Sequence, residues 1–186
     1  MPNVANVSTG KPKVTGAIYR APLGTTLPTD ATTALASAFV ELGYVSEDGV
    51  TNNNTPETDK VKAWGGDTVL VIQSEMADEW TLTLIESLNP NVLKTIYGDS
   101  KVTVNTNTIT VQATAGQRID AVYVFDMALK GGALKRVVIP EGSLSELGEI
   151  VYKDDEAVGY EITLTALPDN SGVSHYEYIK LATSST

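Results

Sequence analysis

Cysteine is absent from this sequence, so disulfides, zinc–thiolate sites, iron–sulfur clusters and cysteine nucleophiles are excluded together, and the fold must stand on packing. Histidine occurs once, at His175. A Ser-His-Asp site would need it beside a serine on a sharp strand-to-helix turn, and no G-x-S-x-G is present; His175 reads as a surface-strand or turn residue. Gly65-Gly66 and Gly131-Gly132 lack the spacing of a phosphate loop. Asp154-Asp155-Glu156 lacks the spaced ligands of a calcium loop and reads as a solvated turn. Aromatics make up 6% of the chain, too few to line a sugar cleft beside paired carboxylates. No catalytic, cofactor-binding or metal-ligating residue is assigned, and no enzyme is expected.

No apolar run approaches the ~18 residues of a membrane-spanning helix. The start, Met1 to Val7, has neither a basic segment nor an apolar core, so cytoplasmic synthesis is expected. Bases are also scarce: 13 Lys plus Arg face 23 Asp plus Glu, a net charge of −10. The excess gathers in residues 141–186, where 9 acids meet 2 bases. Such a chain repels nucleic acid, because phosphate contacts need cations. What is present fits one folded domain: 186 residues, 42% of them hydrophobic, suffice for a core.

The most informative stretch is Trp64 to Glu86. It reads as a hairpin, with two strand-like runs flanking a short acidic connection, Glu75-Met76-Ala77-Asp78, and a Trp-Gly-Gly break in front. In the second run Trp80, Leu82 and Leu84 share one face and Glu79, Thr81 and Thr83 the other, so one face is dry and one wet. Trp64 and Trp80 are expected to anchor the two ends of this hairpin in the core. Ahead of it, Thr51 to Thr58 has no apolar side chain and reads as a solvated loop, either functional or disordered.

Elsewhere, strands are expected at Val14 to Tyr19 and Val40 to Val45, with a turn at Glu47-Asp48-Gly49 and a short helical turn over Ala31 to Phe39 capped by Asp30. Asn89-Pro90 opens the best helix, with an N-cap residue, Pro at the first position, and Gly98 just past the end. Strands follow at Lys101 to Val104 and Ile109 to Ala113. Ile119 to Leu129 pairs with Leu134 to Ile139 across Lys130-Gly131-Gly132-Ala133, and Gly148 to Tyr152, Tyr160 to Leu167 and Tyr176 to Leu181 complete the set. Glu79 to Leu84 and Glu161 to Ala166 share the string E-x-T-L-T, which either duplication or convergent alternation produces. Together these elements predict a mainly β fold, an antiparallel sandwich or barrel of about ten strands with one short flanking α-helix. The chain is one domain, 1–186, with an N-terminal arm 1–13 and a long polar loop 47–63.

The ordered set Leu42 to Thr51, the polar loop, Val61 to Gly66, the Glu79 to Leu84 strand, the Asn89-Pro90 helix, Arg136 to Pro140, Ala157 to Pro168 and Tyr176-Glu177-Tyr178 resembles the major tail, or tail tube, proteins of siphophages. The resemblance implies a structural virion protein of a non-contractile tail, six copies of which close into a ring through a shared inner barrel. Stacked rings would form the hollow conduit for genome delivery, assembled in the host cytoplasm. The implied partners are further copies of the chain, a tape measure protein in the lumen, and tail terminator and distal tail proteins at the ends. DNA would be in transit only, and no membrane or cofactor is involved.

On that basis Glu47, Asp48, Asn52, Asn53, Asn54, Lys60, Lys62, Glu75 and Asp78 are the expected assembly interface. Glu79, Thr81, Thr83, Asp120 and Asp126 are the candidate lumen-facing residues. The alternative is a secreted adhesion or carbohydrate-binding β-sandwich, motivated by the many threonines and the acidic balance.

Overall fold

Alternating side chains and tight turns give eleven strands among the described residues of the computed structural model, every pairing among them antiparallel. They are β1 (Gly10–Pro12), β2 (Ile18–Pro22), β3 (Val40–Glu41), β4 (Val45–Lys62), β5 (Thr68–Leu84), β6 (Val102–Asn105), β7 (Thr108–Val111), β8 (Ala121–Leu129), β9 (Leu134–Leu147), β10 (Tyr160–Leu167) and β11 (Tyr176–Lys180). Helix α1 (Pro90–Tyr97) lies between β5 and β6. The structure describes residues 2, 4–13, 17–114 and 120–182, without the side chains of Ala5, Glu57, Gln73, Ser74 and Glu75. The expected strand residues Val14, Thr15, Gly16 and Ile119 lie outside the described residues.

One sheet runs β3-β2-β8-β9-β10-β5-β4, with β1 also on β8 and β11 also on β9. It cannot be flat. β5 and β8 are three strands apart in that order, about 14 Å at the usual inter-strand spacing, yet the rings of Trp80 on β5 and Phe125 on β8 are 5.4 Å apart. The sheet therefore folds over on itself as a β-sandwich. β9 makes the corner: its first half pairs with β11 and its second with β10. Buried Pro140, which has no N–H to give a neighbour, stands between the halves. A Cβ on Gly142 would lie 2.6 Å from the Tyr123 ring, so only glycine lets the bent strand approach that close.

The core between the layers takes Trp80, Leu82 and Leu84 from β5, Ile162 and Leu164 from β10, and Tyr123 and Phe125 from β8. Helix α1 closes one side of it with Val92, Leu93 and Ile96. Its ends are as the sequence predicts: Asn89 Oδ1 accepts the Asn91 N–H at 2.9 Å, and the Gly98 N–H reaches the Lys94 carbonyl at 2.8 Å. The turn Lys130 to Ala133 joins β8 to β9 as expected. The echoing strings are neighbours: β5 and β10 pair with Thr81 opposite Thr163 and Leu82 opposite Ile162.

Several expectations are corrected. Ala31 to Phe39 forms no helix; Asp30 instead accepts the backbone N–H groups of Thr32 and Thr33 in a turn. Gly148 to Tyr152 is irregular, and the strand expected at Val40 to Val45 shrinks to the two residues of β3 before β4 begins. Asp126, a candidate lumen residue, is only 4% exposed. It pairs across strands with Arg136, whose Nε and Nη2 donate to its two oxygens at 2.6 and 2.8 Å. The remaining Arg136 nitrogen donates to the carbonyls of Asp30 at 3.0 Å and Thr33 at 2.8 Å, pinning the loop over the outer face of β8. Alternation put Asp126 on the polar face but could not show that a loop covers that face.

Two predictions follow from these burials. Replacing Asp126 by Asn leaves the Arg136 charge buried without its counter-ion, so urea denaturation of Asp126→Asn should show a loss of about 3–5 kcal/mol. Burial pushes the Tyr123 phenol up to about 12, although Arg20 beside it pulls the other way. Because the folded state holds this proton more tightly than an unfolded tyrosine with a pKa of about 10, its stabilisation is complete below that pH and disappears as pH rises toward 12. The melting temperature should fall between those limits, and Tyr123→Phe should fall less.

Candidate assembly interface

β4 and β5 form one long hairpin that belongs to the body at one end and to solvent at the other. Their register pairs Val50 with Leu82, Asn54 with Asp78, Pro56 with Met76 and Lys60 with Val71. The segment Thr51 to Thr58, expected to be a loop within 47–63, is thus a strand. Its side chains are exposed, as its composition requires, apart from Glu57, whose side chain lies outside the described residues. Composition reports side-chain burial, whereas β4 is held by backbone hydrogen bonds to β5, which place no demand on side-chain polarity.

The turn is also not where the acidic connection stood. Glu75 to Asp78 continues β5 without a break. The chain reverses at Ala63 to Asp67, where the Ala63 N–H donates to the Asp67 carbonyl at 2.8 Å and the Gly66 N–H to the Ala63 carbonyl at 3.0 Å. Gly65 and Gly66 take φ of 128° and 98°, values that favour glycine. The Trp-Gly-Gly break in the sequence was this turn. Trp64 consequently sits at the tip, fully exposed at 107%, while Trp80 is 5% exposed in the core.

A polar cluster fixes the root of the hairpin. Asp78, expected at an interface, is 4% exposed; Asn52 Nδ2 donates to it at 2.7 Å, and His175 Nδ1 pairs with its other oxygen. His175 also packs edge-on against Trp80, with ring centroids 5.2 Å apart. Asp78 therefore holds the arm to the loop before β11 and is not available to a neighbour. Of the other expected interface residues, Asn53 and Asn54 lie beside this root, Lys60 and Lys62 are exposed near the tip, and Glu47 and Asp48 are exposed at the start of β4. The Glu75 side chain lies outside the described residues.

Beyond the root, the outer ribbon is bare on both faces. Cross-strand pairs put Val61, Leu70 and Ile72 on one face and Lys60, Lys62 and Val71 on the other. The apolar members are 44–53% exposed, and Val69 and Met76 each reach 62%. An isolated two-stranded ribbon has marginal stability in water, and apolar surface of this kind marks an interaction site.

Three of the four remaining lumen candidates fall on one surface. Glu79, Thr81 and Thr83 of β5 lie opposite Thr165, Thr163 and Glu161 of β10, and the Thr81 and Thr163 hydroxyls are 3.2 Å apart. On β9, Glu141, Ser143 and Glu146 continue the same face beside β10. None of these positions is Lys or Arg, so the face is polar and carries Glu79, Glu141, Glu146 and Glu161 as its charges. Asp120 lies outside this paired face, just before β8.

At the other end of the hairpin the start of β4 borders a cleft of about 860 Å³, with Ile18, Phe125 and Met127 on its walls and Glu41, Glu47 and Asp48 among its charged groups. Among the described residues, no group of histidines and carboxylates is arranged to hold a metal ion.

Residues 12–186 match the family model described as phage tail tube protein. No curated protein matches the chain.

The two tryptophans separate packing from exposure. Trp80→Ala should cost about 3–5 kcal/mol, whereas Trp64→Ala should change the stability of the dissociated chain by no more than about 0.5 kcal/mol, both measured by denaturant unfolding.

Proposed function

The chain belongs to the phage tail tube protein family, with a structural role in the virion tail, and on that premise we propose that copies close into six-fold rings that stack as the tube of a non-contractile tail. The observation that carries this reading is the bare hairpin arm. From Asn52 at the root to Lys62 the strand advances about 33 Å, and the apolar groups along the outer part, Val61, Val69 to Ile72 and Met76, are 44–62% exposed. Neighbouring copies cover them in an assembly.

Ring closure also answers the open edge. Among the described residues β4 ends the strand order and leaves one side unpaired, which invites uncontrolled pairing unless it is blunted or enclosed. Asn, Thr, Pro56, Lys60 and Lys62 along β4 discourage indiscriminate partners, and a ring of fixed geometry encloses the edge. The polar face of β4, β5, β10 and β9 is the proposed lumen wall. Glutamates with hydroxyls and no cation let a polyanion pass without adhering, because no phosphate contact is available. In this role the tape measure protein fills the lumen first, terminator and distal tail proteins cap the ends, and genome delivery follows. Among the threonines that suggested an adhesion module, Thr51, Thr81, Thr83, Thr163 and Thr165 are outward positions of paired strands.

Negative-stain microscopy of the concentrated protein tests the proposal, with hollow tubes or six-fold rings expected and strict monomers counting against it. Replacing residues 56–76 by Asn-Gly shortens the arm to a tight hairpin. That variant should melt as the parent does and form no tubes; tubes of normal appearance would reject the role given to the arm.

A further inference from the structure

We propose that the hairpin tip of one copy docks end-on into the cleft beside the start of β4 on the next copy, with Trp64 as the anchor. This deepens the tube reading and rests on it for the partner, a second copy of the same chain. Three observations carry it. First, Trp64 is completely exposed at a turn built by two glycines, although tryptophan is among the residues most enriched in the centres of interfaces. Second, the cleft of about 860 Å³ has accessible apolar walls from Tyr44, Val45, Val50 and Met127 over buried Ile18 and Phe125, and is large enough for an indole and the turn that carries it. Third, the cleft is acidic on balance, with Glu41, Glu47, Asp48, Glu86 and Asp126 on its lining against Lys11 and Lys13, and Lys60 and Lys62 stand just behind the tip that carries Asp67.

The geometry excludes the chain's own tip as the occupant. The cleft includes Val50 and the tip follows Lys62 on the same strand, so the two are separated by about 40 Å of extended backbone. Donor and receiver lie at opposite ends of one ribbon, and in the tube reading each copy gives its tip to one neighbour and takes the tip of another, which makes the contact heterologous. A heterologous contact repeated between identical copies closes a ring or extends a filament.

Because the chain has no cysteine, pairs can be introduced without background. Asp67→Cys at the tip and Ser46→Cys in the cleft are combined in one chain, oxidised under assembly conditions, and resolved on a denaturing gel. Head-to-tail docking gives a ladder beyond the dimer, which either cysteine alone cannot give, and peptide mapping finds residue 67 joined to residue 46. A pair of Asp67→Cys with Ser171→Cys, near the hairpin root instead of the cleft, should stay at background. Loss of an anchor of this kind should raise the protein concentration needed for assembly about 30-fold, so Trp64→Ala should show that shift and Trp64→Phe should recover most of it. Tubes without the 67–46 ladder, preferential linkage to residue 171, or Trp64→Ala assembling at the parental concentration would each overturn the docking. The two readings fail separately: tubes without the ladder remove the docking alone, whereas a ladder without rings or tubes keeps the docking and removes the tube.

Discussion

Everything distinctive in this molecule depends on β5 being one unbroken strand across two environments. From Asp78 to Leu84 its alternate side chains enter the core; from Thr68 to Met76 none of its described side chains is buried. The same backbone ladder to β4 continues through both halves, interrupted only by bulges after Val45, Glu57 and Val61. Core packing of Trp80, Leu82 and Leu84 therefore orients a ribbon that has no packing of its own. A strand that lost its grip on Phe125 and Ile162 would lose the aim of the arm with it.

Burial of charge follows the same logic of fixing what alternation alone leaves loose. The Arg136–Asp126 pair is satisfied on nearly every side, by the carboxylate, by two loop carbonyls and by Lys13, whose Nζ lies 3.6 Å from Asp126. Arg20 makes a second two-pronged contact, to Asp99 beyond the helix, at 2.9 and 3.0 Å. With no cysteine for cross-links, these pairs tie irregular segments to the sheet. Such pairs contribute more to a specific arrangement than to net stability, since desolvation offsets much of their attraction.

Local signals in the sequence were legible wherever the physics is local. The Asn89 cap, Pro90 and Gly98 mark the helix, Gly131-Gly132 marks a hairpin, and the alternation of Glu79 to Leu84 and Tyr160 to Leu167 identifies two strands that prove to be partners. The resemblance to tail tube proteins rested on the order of such signals and agrees with the family match. Misreadings arose where the answer lies in distant contacts. Nothing near Thr51 to Thr58 reveals that β5 will pair with it, and nothing near Asp126 reveals the loop at Asp30 to Thr33 that covers it. Tryptophan is usually a core residue, so Trp64 reads as one by type; its position between Ala63 and two glycines is the signal that it belongs to a turn.

The strand β4 begins beside an open cleft and ends at an exposed indole, so the molecule has a head and a tail in the sense of an arrow. If each copy gives its tip to one neighbour and receives the tip of another, whatever they build inherits a direction. Under the docking proposed above, its two ends differ chemically, one presenting unfilled clefts and the other unburied tips. Starting and stopping growth become separate recognition problems, each solvable by a different protein without reference to length.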